Sequence, residues 1–285
     1  MKNHFFGGLL LAGILAAPIA AQMPEGYLDV FVAKVKMGKR AEFDSINKRM
    51  LEINRKNKGD YWLTYEELYG KGNNVYFVST RTTWAAAEEG TKAFEGALSK
   101  SLGAAGMHKL FDAFDATVDS ERSEFRRRRV DLSSCVPPDA TAYYKLIGQS
   151  RYLRTVTVHV RPGRILDYET QLKLNKEAQE RANPDFPTLV SQGVAGEGFG
   201  NFYITTPLKS LADLDKVKTL QEVLGSSYAT YQQAVAESVS GVDIMVARFL
   251  PELSNAPDEI ASIDPKYWRP APPPPAPAKP AEAKK

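Results

Sequence analysis

Cysteine and histidine are scarce in this chain of 285 residues, which has one cysteine and three histidines. A single cysteine excludes an intramolecular disulfide and any zinc or iron–sulfur site that needs several thiolates. Three histidines leave little material for a histidine-rich metal centre. The sequence therefore predicts a protein without a metal or haem cofactor.

A strong excess of positive charge is also lacking. Lys and Arg number 37 against 34 Asp and Glu, so the formal charge is only +3. Nucleic-acid binders usually carry a clear basic excess, and we expect no nucleic-acid partner. Apolar residues make up 43% of the chain, which is typical of a globular protein.

The two ends of the chain do not have the composition of a folded domain. Residues 1–21 combine Lys2, a short apolar run and small residues before Gln22, which is typical of a cleaved secretory signal. The run is too short for a membrane anchor, so we expect a secreted or periplasmic protein that is not integral to the membrane. Residues 269–285 are rich in proline and alanine and predict an extended, disordered tail, or else a docking segment.

The middle of the chain contains an internal similarity. Residues 35–43 resemble residues 160–168, and residues 76–80 resemble residues 202–206. Each copy opens with an alternating strand, which contains Ala33 and Val35 in the first copy, and a helix follows, with Phe43 and Met50 at helical spacing. Two strands, a second helix and a last strand come next in both copies, and the helical spacing of the second helix extends to Val118 and Val239. The pattern predicts two βαββαβ units, residues 22–132 and 150–254, with a connector at 133–149 and a C-terminal extension at 255–285.

Each copy opens with a strand, a turn that contains Gly38 or Pro162-Gly163, and a helix. This opening and the order of elements that follows resemble the dimeric α/β-barrel superfamily. The resemblance covers about residues 27–254. It implies an α+β fold in which two tandem ferredoxin-like units of one chain form a single barrel with helices outside. Some relatives are haem enzymes with a histidine on a helix of the second unit. Here that unit has only His159, on a predicted strand, so no haem site of that type is expected.

A pocket is predicted in the second unit. Gln171 and Asn175 occupy helix positions that are apolar in the first unit, and buried amides need hydrogen-bond partners. With Arg154 on the adjoining strand and Tyr231 on the second helix, they could face a ligand. The alternative is a slightly rotated helix in which Leu172 packs in the core and both amides are solvated.

Other titratable residues have two interpretations each. His159 would point into the barrel or towards its mouth, where it could act as a general base or simply be hydrogen-bonded. On a helix, His108, Asp112, Asp115 and Asp119 would share one stripe, which could bind a divalent cation or be an ordinary solvated face.

Two short motifs predict local structure. The run Arg126–Arg129 is interpreted as the charged protection of an edge strand, with an acidic partner as the alternative. The glycine-rich segment 196–200 joins two strands and is interpreted as a turn rather than a phosphate-binding loop.

Together these features predict an exported protein that binds a small organic ligand or an envelope protein partner. The alternative is an enzyme without a cofactor, similar to monooxygenases or isomerases of the superfamily, with its pocket in the second unit. Neither the ligand nor the oligomeric state is fixed by the sequence.

Overall fold

The computed structural model describes residues 25–182 and 184–270. The predicted signal at 1–21 and all of the proline-rich tail beyond residue 270 lie outside the described residues. The strands are β1 (Tyr27–Val35), β2 (Leu63–Tyr69), β3 (Asn74–Arg81), β4 (Val118–Arg128), β5 (Tyr152–Val160), β6 (Leu189–Gly196), β7 (Phe202–Leu208) and β8 (Val239–Phe249). The helices are α1 (Arg40–Lys56), α2 (Trp84–Asp115), α3 (Ala140–Gln149), α4 (Ile165–Ala182), α5 (Leu220–Leu224), α6 (Tyr228–Ser238), α7 (Asp258–Ala261) and α8 (Pro265–Trp268).

The eight strands form one closed antiparallel barrel in the order β1-β3-β2-β8-β5-β7-β6-β4. Strands from the two predicted units pair directly, because β2 lies beside β8 and β4 lies beside β6. The predicted α+β class and closed barrel with helices are confirmed. The strand at Arg126–Arg129 is not an edge, since β4 pairs with β1 on one side and β6 on the other. The edge-strand interpretation was therefore wrong.

Alternation along each strand divides the apolar residues between two faces of the sheet. In β1, Val30 and Val32 point into the barrel and pack with residues from the strands opposite. Ala33 and Val35 point outward and pack against Phe43 of α1 and other helix residues. The first helix begins just after Gly38, whose φ of 78° suits the left-handed turn that this connection needs.

Helices cover the outer surface of the sheet in two groups. The pair α1 and α2 packs outside the N-terminal strands, and α4 packs outside β5 with Tyr168 and Leu172. We expected Val118 and Val239 to end the second helix of each unit, but both begin strands. They pair with Val35 and Val160 of the neighbouring strands, where β-branched side chains are favoured. Within the described residues, no helix is both long and apolar enough to cross a membrane.

One end of the barrel is closed by the segments outside the two predicted units. Helices α3, α7 and α8 pack over it, and Trp268 is fully buried. The Trp268 indole Nε1 donates to the Gly148 carbonyl oxygen at 2.9 Å, and its ring contacts Phe249 of β8. Arg151 stacks on the Tyr267 ring and pairs with Asp264. The opposite end of the barrel is its open mouth.

Candidate ligand-binding cavities

The larger candidate site, named here the outer cavity, lies outside the C-terminal strands and beneath α4, α5 and α6. Its volume is about 520 Å³. Strands β5 and β7 form its floor, and its walls come from the helices and the segment before β6. The apolar and aromatic lining includes Val156, Val158, Tyr168, Phe186, Ile204, Val223, Tyr228, Tyr231 and Val235.

Arg154 is the cation on the floor of the outer cavity. It shares the outward face of β5 with Val156 and Val158. Among the described residues, Arg154 has no ion pair and no side-chain hydrogen bond. Burial lowers the pKa of Arg154, but a guanidinium keeps its proton at any physiological pH. The cavity therefore presents a positive charge without a described counterion above an apolar floor.

Three of the four residues predicted to form a pocket line the outer cavity. Asn175 is buried, and its Oδ1 accepts from Gln179 Nε2 at 3.3 Å. Tyr231 and Arg154 face the same space. Gln171 is half-buried and does not line the cavity, because the neighbouring Leu172 takes the core position. The pocket geometry and the rotated-helix alternative are thus each seen in part, and a role in binding stays a prediction.

The lining of the outer cavity does not suit a haem iron. Its described residues include no histidine, cysteine or methionine. The phenols are those of Tyr168, Tyr228 and Tyr231, and burial raises the pKa of Tyr168 and brings that of Tyr231 to about 12. A phenolate ligand from Tyr168 or Tyr231 is therefore disfavoured at neutral pH. These donors do not suit axial ligation of a haem iron.

A second cavity of about 290 Å³, named here the lumen cavity, occupies the open mouth of the barrel. The hairpin between β2 and β3 and the glycine-rich hairpin between β6 and β7 form its rim. As the sequence predicted, segment 196–200 is a turn, with Gly196 at a φ of 81°. The polar residues that line this cavity include Glu67, Lys71, Asn74, Arg122, Glu124, Arg126, Thr157, His159, Glu197, Asn201 and Asp243.

His159 lies in the lumen cavity, at the mouth end of β5. Its Nε2 is 2.7 Å from Asp243 Oδ2, and its Nδ1 is 3.2 Å from Asn201 Oδ1. Lys71 Nζ lies 2.7 Å from the same carboxylate oxygen of Asp243. Hydrogen bonds from Lys71 and His159 lower the pKa of Asp243. The histidine side chain is therefore both at the mouth and hydrogen-bonded, and a catalytic role stays a prediction.

Glu124 is the most buried carboxylate of the lumen, with 4% of the residue exposed. Its Oε2 accepts from Arg126 Nε at 2.8 Å and from the Tyr203 hydroxyl at 2.7 Å, and its Oε1 accepts from Arg122 Nε at 2.9 Å. Burial alone would raise the pKa of Glu124, but the charge of Arg126 and these hydrogen bonds outweigh it, and the pKa is lowered.

The arginine run is therefore divided between inside and outside. Arg126 and Arg128 are buried and point inward, Arg127 is exposed, and Arg129 pairs with Asp131 and Glu169. The sequence pattern did not reveal this buried network. The signal for it was the alternation of Glu124, Arg126 and Arg128 along one strand, which places all three on one face.

The residues proposed as a metal stripe do not come together. His108, Asp112 and Asp115 are located on α2. Asp119 belongs to β4, because the helix ends at Asp115, so the predicted helical stripe was wrong at that position. In the part of the chain that the structure describes, no group of three or more His, Cys, Asp or Glu side chains could hold a metal ion.

Comparison with known proteins identifies no family by sequence: no protein-family model and no curated protein matches this chain. Solved structures do match. An anthrone oxidase-like protein matches with a TM-score of 0.51 and 13% identity, covering 81% of this chain and 94% of that chain. A novel heme-binding protein from Thermus thermophilus matches with a TM-score of 0.44 and 13% identity, covering 81% and 93%. Chlorite dismutase from Candidatus Nitrospira defluvii matches with a TM-score of 0.46 and 8% identity, covering 84% and 95%.

These neighbours are dimeric α/β-barrel proteins. At 13% identity, the likeness to the anthrone oxidase-like protein shows a shared fold.

Proposed function

We propose that this protein binds a small organic anion in the outer cavity, with Arg154 receiving the acidic group. The observation that carries the proposal is a guanidinium with no described counterion on the floor of a largely apolar cavity. A carboxylate or sulfonate can accept two parallel hydrogen bonds from such a group. Val156, Ile204 and the tyrosines would then cover an apolar body.

The charge around the opening supports an anion. Lys216 and Lys218 lie on the lining with Arg154, against one carboxylate, Asp185. Lys216 is already paired with Asp213, so it contributes less than Arg154 does. A ligand with one acidic group and an aromatic or branched aliphatic body matches both the charge and the walls.

A pair of fluorescent probes tests the proposal. The anion 8-anilinonaphthalene-1-sulfonate and the neutral N-phenyl-1-naphthylamine share one aromatic body and differ by the sulfonate. We expect Arg154→Met to weaken binding of the anion by about 10- to 100-fold, the equivalent of a hydrogen bond to a charged group. Binding of the neutral probe should change little.

The matched control is Arg161→Met, which removes the same charge from an exposed position just after the end of β5. It should leave both probes unaffected. Equal binding of the anion by the wild type and Arg154→Met would contradict the proposal, and so would an equal loss with Arg161→Met.

The second candidate is an enzyme without a cofactor that acts in the same cavity. Arg154 favours it, because a fixed cation in an apolar site can stabilise a developing enolate or phenolate. The fold is shared with an anthrone oxidase-like protein, which makes anthrone a suitable probe. Oxygen uptake with anthrone should then depend on the protein and be lost in Arg154→Met. Wild-type protein without such uptake would leave ligand binding as the function.

We further propose that the chain is a fused tandem of ferredoxin-like units of the dimeric α/β-barrel superfamily, and that it is exported. Two βαββαβ successions and the matching strand orders β4-β1-β3-β2 and β8-β5-β7-β6 support the first part. The composition of residues 1–21 supports the second. Cell fractionation, with the mass of the mature N-terminus, tests export: a chain beginning at Gln22 outside the cytoplasm is expected, and an uncleaved cytoplasmic chain would contradict it.

A further inference from the structure

The lumen cavity is separated from the outer cavity by the sheet itself. Along β5, Arg154, Val156 and Val158 line the outer cavity, whereas Thr155, Thr157 and His159 line the lumen cavity. Successive side chains of a strand point to opposite faces, so a molecule in one cavity cannot touch the other lining. A ligand of the lumen cavity would therefore be a different molecule from the one in the outer cavity.

The charges of the lumen cavity are already paired with one another. Lys71 pairs with Asp243, and both Arg122 and Arg126 pair with Glu124. Glu197, at the rim, also pairs with Arg122 at 3.4 Å. An anionic ligand could reach Arg122 or Arg126 only by displacing Glu124, and this would leave a buried carboxylate uncompensated, which is costly. Lys71 and Glu197 have side chains that are 72% and 73% exposed, so their pairs are weak in comparison.

The remaining carboxylate is held by neutral donors. Glu67 Oε1 accepts from the Tyr76 hydroxyl at 2.8 Å, and its Oε2 accepts from the Gly72 amide at 2.8 Å and from Asn74 Nδ2 at 3.1 Å. No cation among the described residues neutralises this carboxylate. The lining thus contains no surplus positive charge, in contrast to the outer cavity.

Hydrogen-bonding capacity is nevertheless left over. Thr157 Oγ1 faces the cavity without a hydrogen bond to any other described residue, and Asn201 lines the opening. Each carboxylate can accept more bonds than its partners supply. A ligand that fits must donate and accept many hydrogen bonds and carry no negative charge. Hydroxyl groups do both.

We propose that the lumen cavity is a second binding site, which takes a neutral polyhydroxylated molecule the size of a monosaccharide. Its hydroxyls bind Thr157, Asn201 and the unused lone pairs of Glu67 and Asp243. The site is independent of the organic anion in the outer cavity.

Saturation-transfer NMR and calorimetry with defined sugars test this proposal on the full chain. The neutral probes are D-glucose, D-galactose and D-mannose, each titrated to saturation or to its solubility limit. The anionic counterparts are D-glucuronate, D-galacturonate and D-mannuronate. We expect at least one neutral hexose to bind and its anionic counterpart to bind at least tenfold more weakly. Absence of binding by all three neutral hexoses would overturn the proposal, and so would equal or tighter binding of the anionic counterpart.

A variant places the binding in the lumen. Thr157→Val removes one inward hydroxyl and keeps the branched shape that suits a strand, so affinity for the bound hexose should fall about three- to tenfold. The matched control is Thr80→Val, the same change at an exposed position on β3, which should leave affinity unchanged. A bound hexose whose affinity does not respond to Thr157→Val would overturn the assignment to this cavity.

The two proposed sites fail separately. Arg154→Met should abolish the preference for the anionic fluorescent probe and leave hexose binding unchanged. Thr157→Val should weaken hexose binding and leave the preference for the anionic probe unchanged. Competition between the fluorescent probe and the hexose would contradict the independence of the two cavities.

Discussion

Replacing Glu124 with glutamine should be among the most damaging single changes in the barrel. The carboxylate is buried and is the partner of Arg126, which is itself only 6% exposed. It also accepts from Arg122 and from the Tyr203 hydroxyl. Glutamine retains the size and shape of the side chain but removes the charge and turns one acceptor into a donor.

The magnitude follows from what is left unpaired. Arg126 donates to Oε2 through Nε at 2.8 Å and Nη2 at 2.6 Å, while Arg122 donates to Oε1. The amide of glutamine can satisfy one of these sides only, so an NH₂ group must face an arginine donor. Breaking a buried ion pair from one side costs about 3–5 kcal/mol. We expect Glu124→Gln to lose about that much free energy of unfolding, or roughly 10 °C in Tm for a protein of this size.

Urea unfolding followed by circular dichroism measures this loss, and a second variant tests its cause. If the penalty comes from an abandoned charge, the double variant Glu124→Leu/Arg126→Met should recover at least half of it, because both charges are then removed together. A loss in Glu124→Gln below about 1 kcal/mol, the size of one ordinary hydrogen bond, would refute the reasoning. So would a double variant less stable than Glu124→Gln.

The pKa of Glu124 is lowered in the folded state. Its contribution to stability is therefore complete above the unfolded glutamate pKa of about 4.3 and is lost as the pH falls through the folded pKa. In a pH series of urea melts, the unfolding free energy of Glu124→Gln should fall less steeply at acid pH than that of the wild type. Trp268→Ala should lower the unfolding free energy by about 3–5 kcal/mol in thermal or urea melts, since the side chain is fully buried. The control Met37→Ala, at a residue that is 91% exposed, should change it very little. Equal effects of the two variants would count against the closing role of α8. Gly198→Ala should destabilise the protein by about 1–3 kcal/mol, because a Cβ there would overlap the tyrosine hydroxyl that donates to Glu124. The control Gly96→Ala, which has open space on α2, should stabilise it by up to about 1 kcal/mol. A Gly198→Ala protein as stable as the wild type would show that the hairpin can move.

Local pattern was enough to predict the elements and the class of fold. Period-two alternation located the strands, as with Ala33 and Val35 under the helices, and helical spacing located α1 around Phe43 and Met50. The ends of α2 and α6 were misplaced, because Val118 and Val239 satisfy a helical period as well as a strand. Only their pairing with β1 and β5 decides between the two.

Features that depend on closure of the barrel could not be predicted in this way. Arg126 was interpreted as surface charge because nothing local shows that β6 lies beside β4. The same is true of the lumen cavity, whose lining comes from strands of both units and from the turns between them. The outer cavity was easier, because Arg154, Asn175 and Tyr231 belong to neighbouring elements of a single βαββαβ pattern.

Closure of the barrel uses no strand from the segment at 133–149. The two halves of the sheet meet through the pairs β2–β8 and β4–β6, and neither pair uses that segment as a strand. A chain cut in the loop before α3 would leave two fragments, each with two unpaired edge strands. The edges β2 and β4 of one fragment would pair with the edges β8 and β6 of the other. We therefore expect the separately produced fragments to reassemble in trans, and a protease cut there to leave a folded barrel. Either fragment alone would be driven to pair with a copy of itself.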